Sequence, residues 1–137
     1  MIAAMSHSHV QPRKRQQLLV PRVKVWVECR GRYAFGFGLA EILQAVERGG
    51  SFKQAASDLG KSYRYIWGRI KKAEKVLGQR LVETQVGGKG QRRSFLTLAA
   101  RQLVADFLAL RGRLAHVLEQ EFASHFTWPV PSNTKAP

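Results

Sequence analysis

Along the middle of the chain, apolar residues return at the i, i+3, i+4, i+7 spacing of helices that bury one face. Leu39, Ile42, Leu43 and Val46 predict a helix over about 39–48, stopped by Gly49-Gly50. Ser51 is a good N-cap, and Phe52, Ala55, Ala56 and Leu59 follow it as a second, short helix. Gly60 can take the positive φ that reverses the chain, and Ser62 can then cap a third helix. On that helix Ile66, Ile70, Ala73 and Leu77 make one stripe, and Arg64, Gly68, Lys71 and Lys75 fall opposite. The pattern, with small Ala56 and Gly60 permitting close packing, is that of a helix-turn-helix whose second member can enter a DNA major groove.

Outside this centre the period changes. Val23, Val25 and Val27 alternate with Lys24, Trp26 and Glu28, predicting one strand within 18–28, with Pro21 near its start. Its partner is expected to be either the strands further along or its equivalent in a second subunit. Gly31 to Gly38 reads as a glycine- and aromatic-rich connection with Phe35 and Phe37 as core anchors. It lacks the Lys and Ser/Thr of a phosphate loop. Residues 80–86 and 92–97 predict a hairpin around a glycine-rich tip that carries Lys89, Arg92 and Arg93, which makes it a wing. Thr97 can cap a long helix reaching about Phe122. On it Leu103, Phe107, Leu110, Leu114 and Val117 step by 4, 3, 4, 3 as a heptad seam. A second row (Val104, Leu108, Ala115, Leu118, Phe122) widens the apolar face beyond what one small domain covers, so a homodimer through this helix is expected. His116 and His125 read as surface or dimer-contact residues.

The fold class expected is therefore mainly α with a small β-hairpin: a winged helix-turn-helix with an N-terminal strand and a long C-terminal dimerisation helix. The domain division expected is a disordered basic arm over 1–17, the winged domain over 18–97, the dimerisation helix over 98–126 and a disordered tail over 127–137.

Charge sharpens this picture. The chain carries 23 Lys+Arg against 9 Asp+Glu, a net charge of +14 over 137 residues. The excess is concentrated from Lys61 to Arg93, where ten basic residues face only Glu74 and Glu83. Cations gathered on a helix-turn-helix and its wing favour double-stranded DNA over a merely solvated surface. Ser62, Arg64, Tyr65 and Gly68 are the expected base-facing residues, with Arg64 able to pair bidentately with guanine. Lys61, Arg69, Lys71, Lys72, Lys75, Lys89, Arg92 and Arg93 are the expected phosphate contacts. Tyr63 and Trp67 lie beside the core stripe and leave two readings open, packing and DNA contact, of which packing comes first because large aromatics are usually buried. Cys29 is the sole cysteine, a filler rather than a nucleophile, and excludes a multi-cysteine metal site. His7-Ser-His9 is too sparse for a metal site. Paired carboxylates and Cys-His couples are not legible, so neither an enzyme, a cofactor nor a metal is expected. No stretch has the length and apolarity of a membrane span or a signal peptide, and a cytoplasmic location is expected.

At residue level, Gly50-Ser-Phe-Lys-Gln-Ala-Ala56, Ser62-Tyr-Arg-Tyr-Ile-Trp67 and Leu81-Val-Glu-Thr-Gln-Val-Gly-Gly-Lys-Gly90 resemble the N-terminal DNA-binding domain of the molybdate-responsive regulators of the ModE family. The LysR-type regulators share the wider pattern, including Leu96-Thr97 at the start of the linker helix. The resemblance covers about residues 20–122 and implies a dimeric transcriptional regulator. In that family molybdate is held by C-terminal oxyanion-binding domains, which these motifs do not include, so molybdate binding is not expected in this chain. Two other readings are a low-specificity nucleoid-type DNA-binding protein, and a modulator that forms heterodimers with a larger regulator through the heptad helix.

Overall fold

The computed structural model describes residues 18–128; the expected basic arm over 1–17 and most of the expected tail, 129–137, lie outside the described residues. The elements in order are β1 (Trp26–Cys29), β2 (Arg32–Gly36), α1 (Phe37–Gly49), α2 (Phe52–Leu59), α3 (Tyr63–Leu77), β3 (Val82–Val86), β4 (Arg92–Leu96) and α4 (Leu98–His125). The winged helix-turn-helix class stands as read from the sequence. The described residues form two compact units, 24–114 and 18–23 with 115–128. Among them no helix is long and apolar enough to cross a membrane.

Within 24–114, α1 is the element around which the core closes. Leu39, Ala40, Ile42, Leu43, Ala45 and Val46 are all buried, more than one helical stripe, because α2, α3, β2 and β4 all pack on it. Phe35 enters this core from β2, Ala55 and Ala56 from α2, Ile66, Ile70 and Ala73 from α3, Leu81, Val82 and Leu96 from the base of the wing, and Ala100, Val104 and Phe107 from α4. The Phe35 and Phe107 rings meet edge to face with centroids 5.2 Å apart, a geometry that suits the aromatic quadrupole.

The first half of the chain departs from the sequence reading. Only Trp26–Glu28 of the expected 18–28 strand is extended in a sheet, as part of β1, and the partner of β1 is neither the wing nor a second subunit. It pairs antiparallel with Arg32–Gly36, inside the stretch read as a connection. Arg30 (φ 53) and Gly31 (φ 78) form the two-residue turn, both left-handed, as a tight hairpin of this kind requires. Asn or Asp ordinarily occupies the first of these places, and Arg30 gave no such signal. Gly36 beyond it serves packing: the Tyr33 side chain lies where a Cβ on Gly36 would stand. Phe37 is also not the core anchor expected. It is the first residue of α1, lies partly exposed, and is covered by the Arg111 guanidinium 3.9 Å from its ring centroid.

Glu47 ties three elements together. Its Oε1 accepts the backbone N–H of Leu96 in β4 at 2.8 Å, and its Oε2 accepts from Arg101 in α4 at 2.8 Å. The Leu96 amide first, then Arg101 and the charge of Arg93, hold its carboxyl below the usual range, against the opposing effect of partial burial. A depressed carboxylate stabilises the fold above its unfolded pKa, and the contribution is lost as pH falls through its folded value. The Glu47→Gln variant is accordingly expected to be less stable than the parent by about 1 kcal/mol at neutral pH, a charged hydrogen bond discounted for solvent screening. The gap should close as pH falls below about 4. Urea unfolding at a series of pH values checks this, and a pH-independent gap would remove the charge of Glu47 from the account.

Candidate nucleic-acid interface

Two serines and a glycine set the helix-turn-helix. Ser51 Oγ accepts the Gln54 amide at 2.9 Å and Ser62 Oγ accepts the Tyr65 amide at 3.0 Å, satisfying N–H groups that each helix start leaves free. Gly60 takes φ 65 between them, and Lys61 N–H returns to the Ala56 carbonyl at 2.9 Å. The reversal directs the apolar stripe of α3 inward: Ile66 and Ile70 are fully buried and Ala73 nearly so, while Leu77 is half-buried. Arg64 and Lys75 are exposed on the other side. Around Gly68 nothing stands within 4 Å of where a Cβ would be. The helix thus shows a face with Arg64 and Lys75 on it and a gap at Gly68 between them.

Each flank of that face pairs an aromatic with a cation four residues later. On one, the Tyr65 hydroxyl accepts Arg69 Nη1–H at 2.7 Å, and the ring lies 5.3 Å from Lys61 Nζ. Since that oxygen is already an acceptor, its own proton is free to donate. Arg69 and Lys72 also border a hollow of about 200 Å³ with Tyr33, Ala34 and Leu39, which turns them toward β2. On the other flank Lys71 lies 6.0 Å from the Trp67 ring centroid and 3.3 Å from Glu74. This flank faces the wing across a groove of about 370 Å³, whose lining includes Lys53, Tyr63, Trp67, Lys71, Arg80 and Arg92. Tyr63 and Trp67, expected to pack, are 55% and 46% exposed. The core stripe closes at Ile66 and Ile70 without them, although the Tyr63 ring does lean on Phe52 with centroids 6.0 Å apart.

The wing is held at both ends of its base. Glu74 Oε2 accepts the amides of Leu81 at 2.7 Å and Val82 at 3.2 Å, which fixes the start of β3 to α3. Thr97 Oγ1 donates to the Arg80 carbonyl at 2.8 Å and also accepts the Ala100 amide at 3.1 Å, so the residue that caps α4 closes the hairpin as well. At the tip, Gly88–Gly90 makes one tight turn in which Lys89 adopts φ 66. Lys89 and Arg92 are exposed there. Arg93 is placed differently: its guanidinium lies against Gly50, 2.7 Å from where a Cβ would stand, and its charge acts on Glu47. Sequence reasoning missed Lys53 and Arg80 as members of the basic groove, because neither lies on α3 or at the wing tip.

The seam expected on α4 divides. Phe107 is 3% exposed in the chain's own core and so is not free to meet a partner as expected, while Leu103 is partly buried against that core. Leu110, Leu114 and Val117 are exposed. In the unit of 18–23 with 115–128, the Phe122 and Phe126 rings stack at 4.5 Å, and His125 Nε2 sits 3.0 Å from Glu121.

Three caps, a basic-faced second helix and a hairpin wing define a winged helix-turn-helix DNA-binding domain. Residues 37–101 match the family model of the bacterial regulatory helix-turn-helix protein, lysR family. The matched segment runs from α1 to the first turn of α4, and so takes in the helix-turn-helix and the wing. Over 80 residues the chain is 35% identical to the molybdenum transport protein ModE of Herbaspirillum seropedicae, covering 58% of this chain and 30% of that protein. It is 32% identical over 77 residues to the molybdenum-pterin-binding protein MopA of Rhodobacter capsulatus, covering 56% of this chain and 29% of that protein. ArgP from Mycobacterium tuberculosis, a solved structure, aligns with a TM-score of 0.46 and 25% identity, over 62% of this chain and 30% of that one. The chain therefore spans less than a third of the length of the curated relatives it matches.

Glu74→Gln is expected to loosen the hairpin base while leaving α3 folded. Hydrogen exchange should show faster exchange at the Leu81 and Val82 amides and unchanged protection at Ile70. Equal loss at all three would mean that Glu74 supports the whole domain rather than the wing.

Proposed function

We propose that this chain is a sequence-specific transcriptional regulator that binds double-stranded DNA as a homodimer. In this reading α3 lies in the major groove and the wing on the backbone or adjacent minor groove. The observation that carries it is the exposed face of α3, where Arg64 stands free beside the gap at Gly68 and cations continue along the groove toward the wing. Ser62, Arg64, Tyr65 and Gly68 face base edges, with Arg64 able to pair with guanine and Tyr65 to donate to an acceptor. Ser62 contributes through its backbone and position, since its hydroxyl already caps the helix. Lys61, Lys75, Lys89 and Arg92 meet phosphates, and Lys53 and Arg80 join them. Lys71, Arg69, Lys72 and Arg93 contribute charge at longer range or by exchanging the contacts described above.

Leu110, 46% exposed, and Leu114, 38% exposed, support an association along α4 that continues through Val117. Two copies paired there present two recognition helices to a pseudo-palindromic site. The likeness to ModE makes molybdenum handling the first process in which to seek regulated genes.

Arg64→Ala is expected to relax sequence preference and cost about 1–3 kcal/mol at a selected site, with little change on random DNA. Lys89→Ala should weaken both alike and flatten the salt dependence. Titrations at several salt concentrations check the pair; equal affinity of the parent for selected and random duplexes at every salt would leave only a low-specificity binder. Leu114→Asp should shift the sedimenting species from dimer to monomer at micromolar concentration without loss of helix content. A parent that sediments as a monomer would overturn the dimer.

A further inference from the structure

Of the three exposed aromatics on α3, two have evident engagements. Tyr63 leans its ring on Phe52, and the Tyr65 hydroxyl holds Arg69. Trp67 is left 46% exposed, on the flank toward the wing, with Lys71 near its ring. A half-exposed indole on a basic helix is an apolar surface offered where almost everything else is charged.

We propose that Trp67 discriminates bases by reading the C5-methyl group of thymine. The inference rests on the reading that α3 enters the major groove. In that groove each base pair presents hydrogen-bonding atoms, and the one apolar group among them is the thymine methyl. Trp67 is matched to it by chemistry and by placement. Gly68 leaves open space on the adjoining face of the helix, so the helix as a whole can come close to the base edges while the indole meets them from its flank. Lys71, 6.0 Å from the ring centroid, lies 3.3 Å from Glu74, which also accepts the wing amides, so the ring stands between a cation and the base of the wing. The aromatic surface is thereby kept beside the phosphate-facing cations of the groove, where the methyl edge and the backbone of one strand arrive together.

The test uses the full chain and a random-sequence duplex pool. The enriched duplex is resynthesised with deoxyuridine replacing thymidine at one position at a time, which removes the methyl and leaves the hydrogen-bonding edge unchanged. At a thymine beside each recognition helix, deoxyuridine should weaken the parent roughly fourfold, the value of burying one such carbon. W67A should bind the two duplexes equally, and W67F, which keeps a smaller apolar ring, should retain part of the difference. Thermal melting of both variants guards against a loss caused by unfolding. An enriched site whose thymines can all be replaced without loss, or a deoxyuridine penalty that persists in W67A, overturns the assignment to Trp67 alone. A pool from which no sequence is enriched removes the major-groove reading, and the thymine contact with it.

Discussion

The placement of the wing beside α3 depends on two carboxylates that accept backbone amides across elements. Glu74, on α3, takes the amides of Leu81 and Val82 where β3 begins. Glu47, on α1, takes the amide of Leu96 where β4 ends. A two-stranded hairpin has little stability of its own and no register beyond its own ladder, so it must be fixed from outside. Charged acceptors are suited to this, because a bond to an ionised oxygen is stronger and more directional than apolar contact. Leu81, Val82 and Leu96 supply burial at the same places, so each end of the hairpin base is held by packing and by a carboxylate together.

These acids are also among the few negative charges in a strongly basic region. They sit where cations would otherwise repel one another: Glu74 beside Lys71, and Glu47 beside Arg101 and Arg93. The structure thus separates its cations into two groups. Those with an acidic neighbour shape the domain, and exposed ones such as Arg64 on α3 and Lys89 and Arg92 on the wing leave its surface positive, as the proposed DNA contact requires. Counting charge along the sequence cannot make that division, because Glu47, the acidic partner of Arg101, is distant from it in the chain.

Much of the fold was legible from residues alone, and for identifiable reasons. Ser51, Gly60, Ser62 and Thr97 act locally, through hydrogen bonds or backbone angles within a few residues, so the caps and the turn of the helix-turn-helix follow directly from their positions. The stripe of Ile66, Ile70 and Ala73 is likewise a local periodicity. The β1–β2 hairpin was not legible, since its turn places Arg30 in a conformation that Arg rarely adopts and its short second strand is bounded by Gly31 and Gly36. Trp67 was misjudged on the general habit of large aromatics to be buried. Ile66 and Ile70 already complete the stripe, and only the packed structure shows that no room inward remains. Phe107 was misassigned for the converse reason: its heptad spacing is real, but Phe35 arrives from β2 to claim it.

Along α4 a single apolar repeat serves two environments in succession. Its early members, Val104 and Phe107, are interior, whereas Leu110 and Leu114 face outward. In the proposed pairing along α4, such a division lets selection alter the companion by changing residues beyond the core, while the folded unit beneath them keeps its sequence. Choice of companion and integrity of the domain become separately adjustable properties of one continuous element.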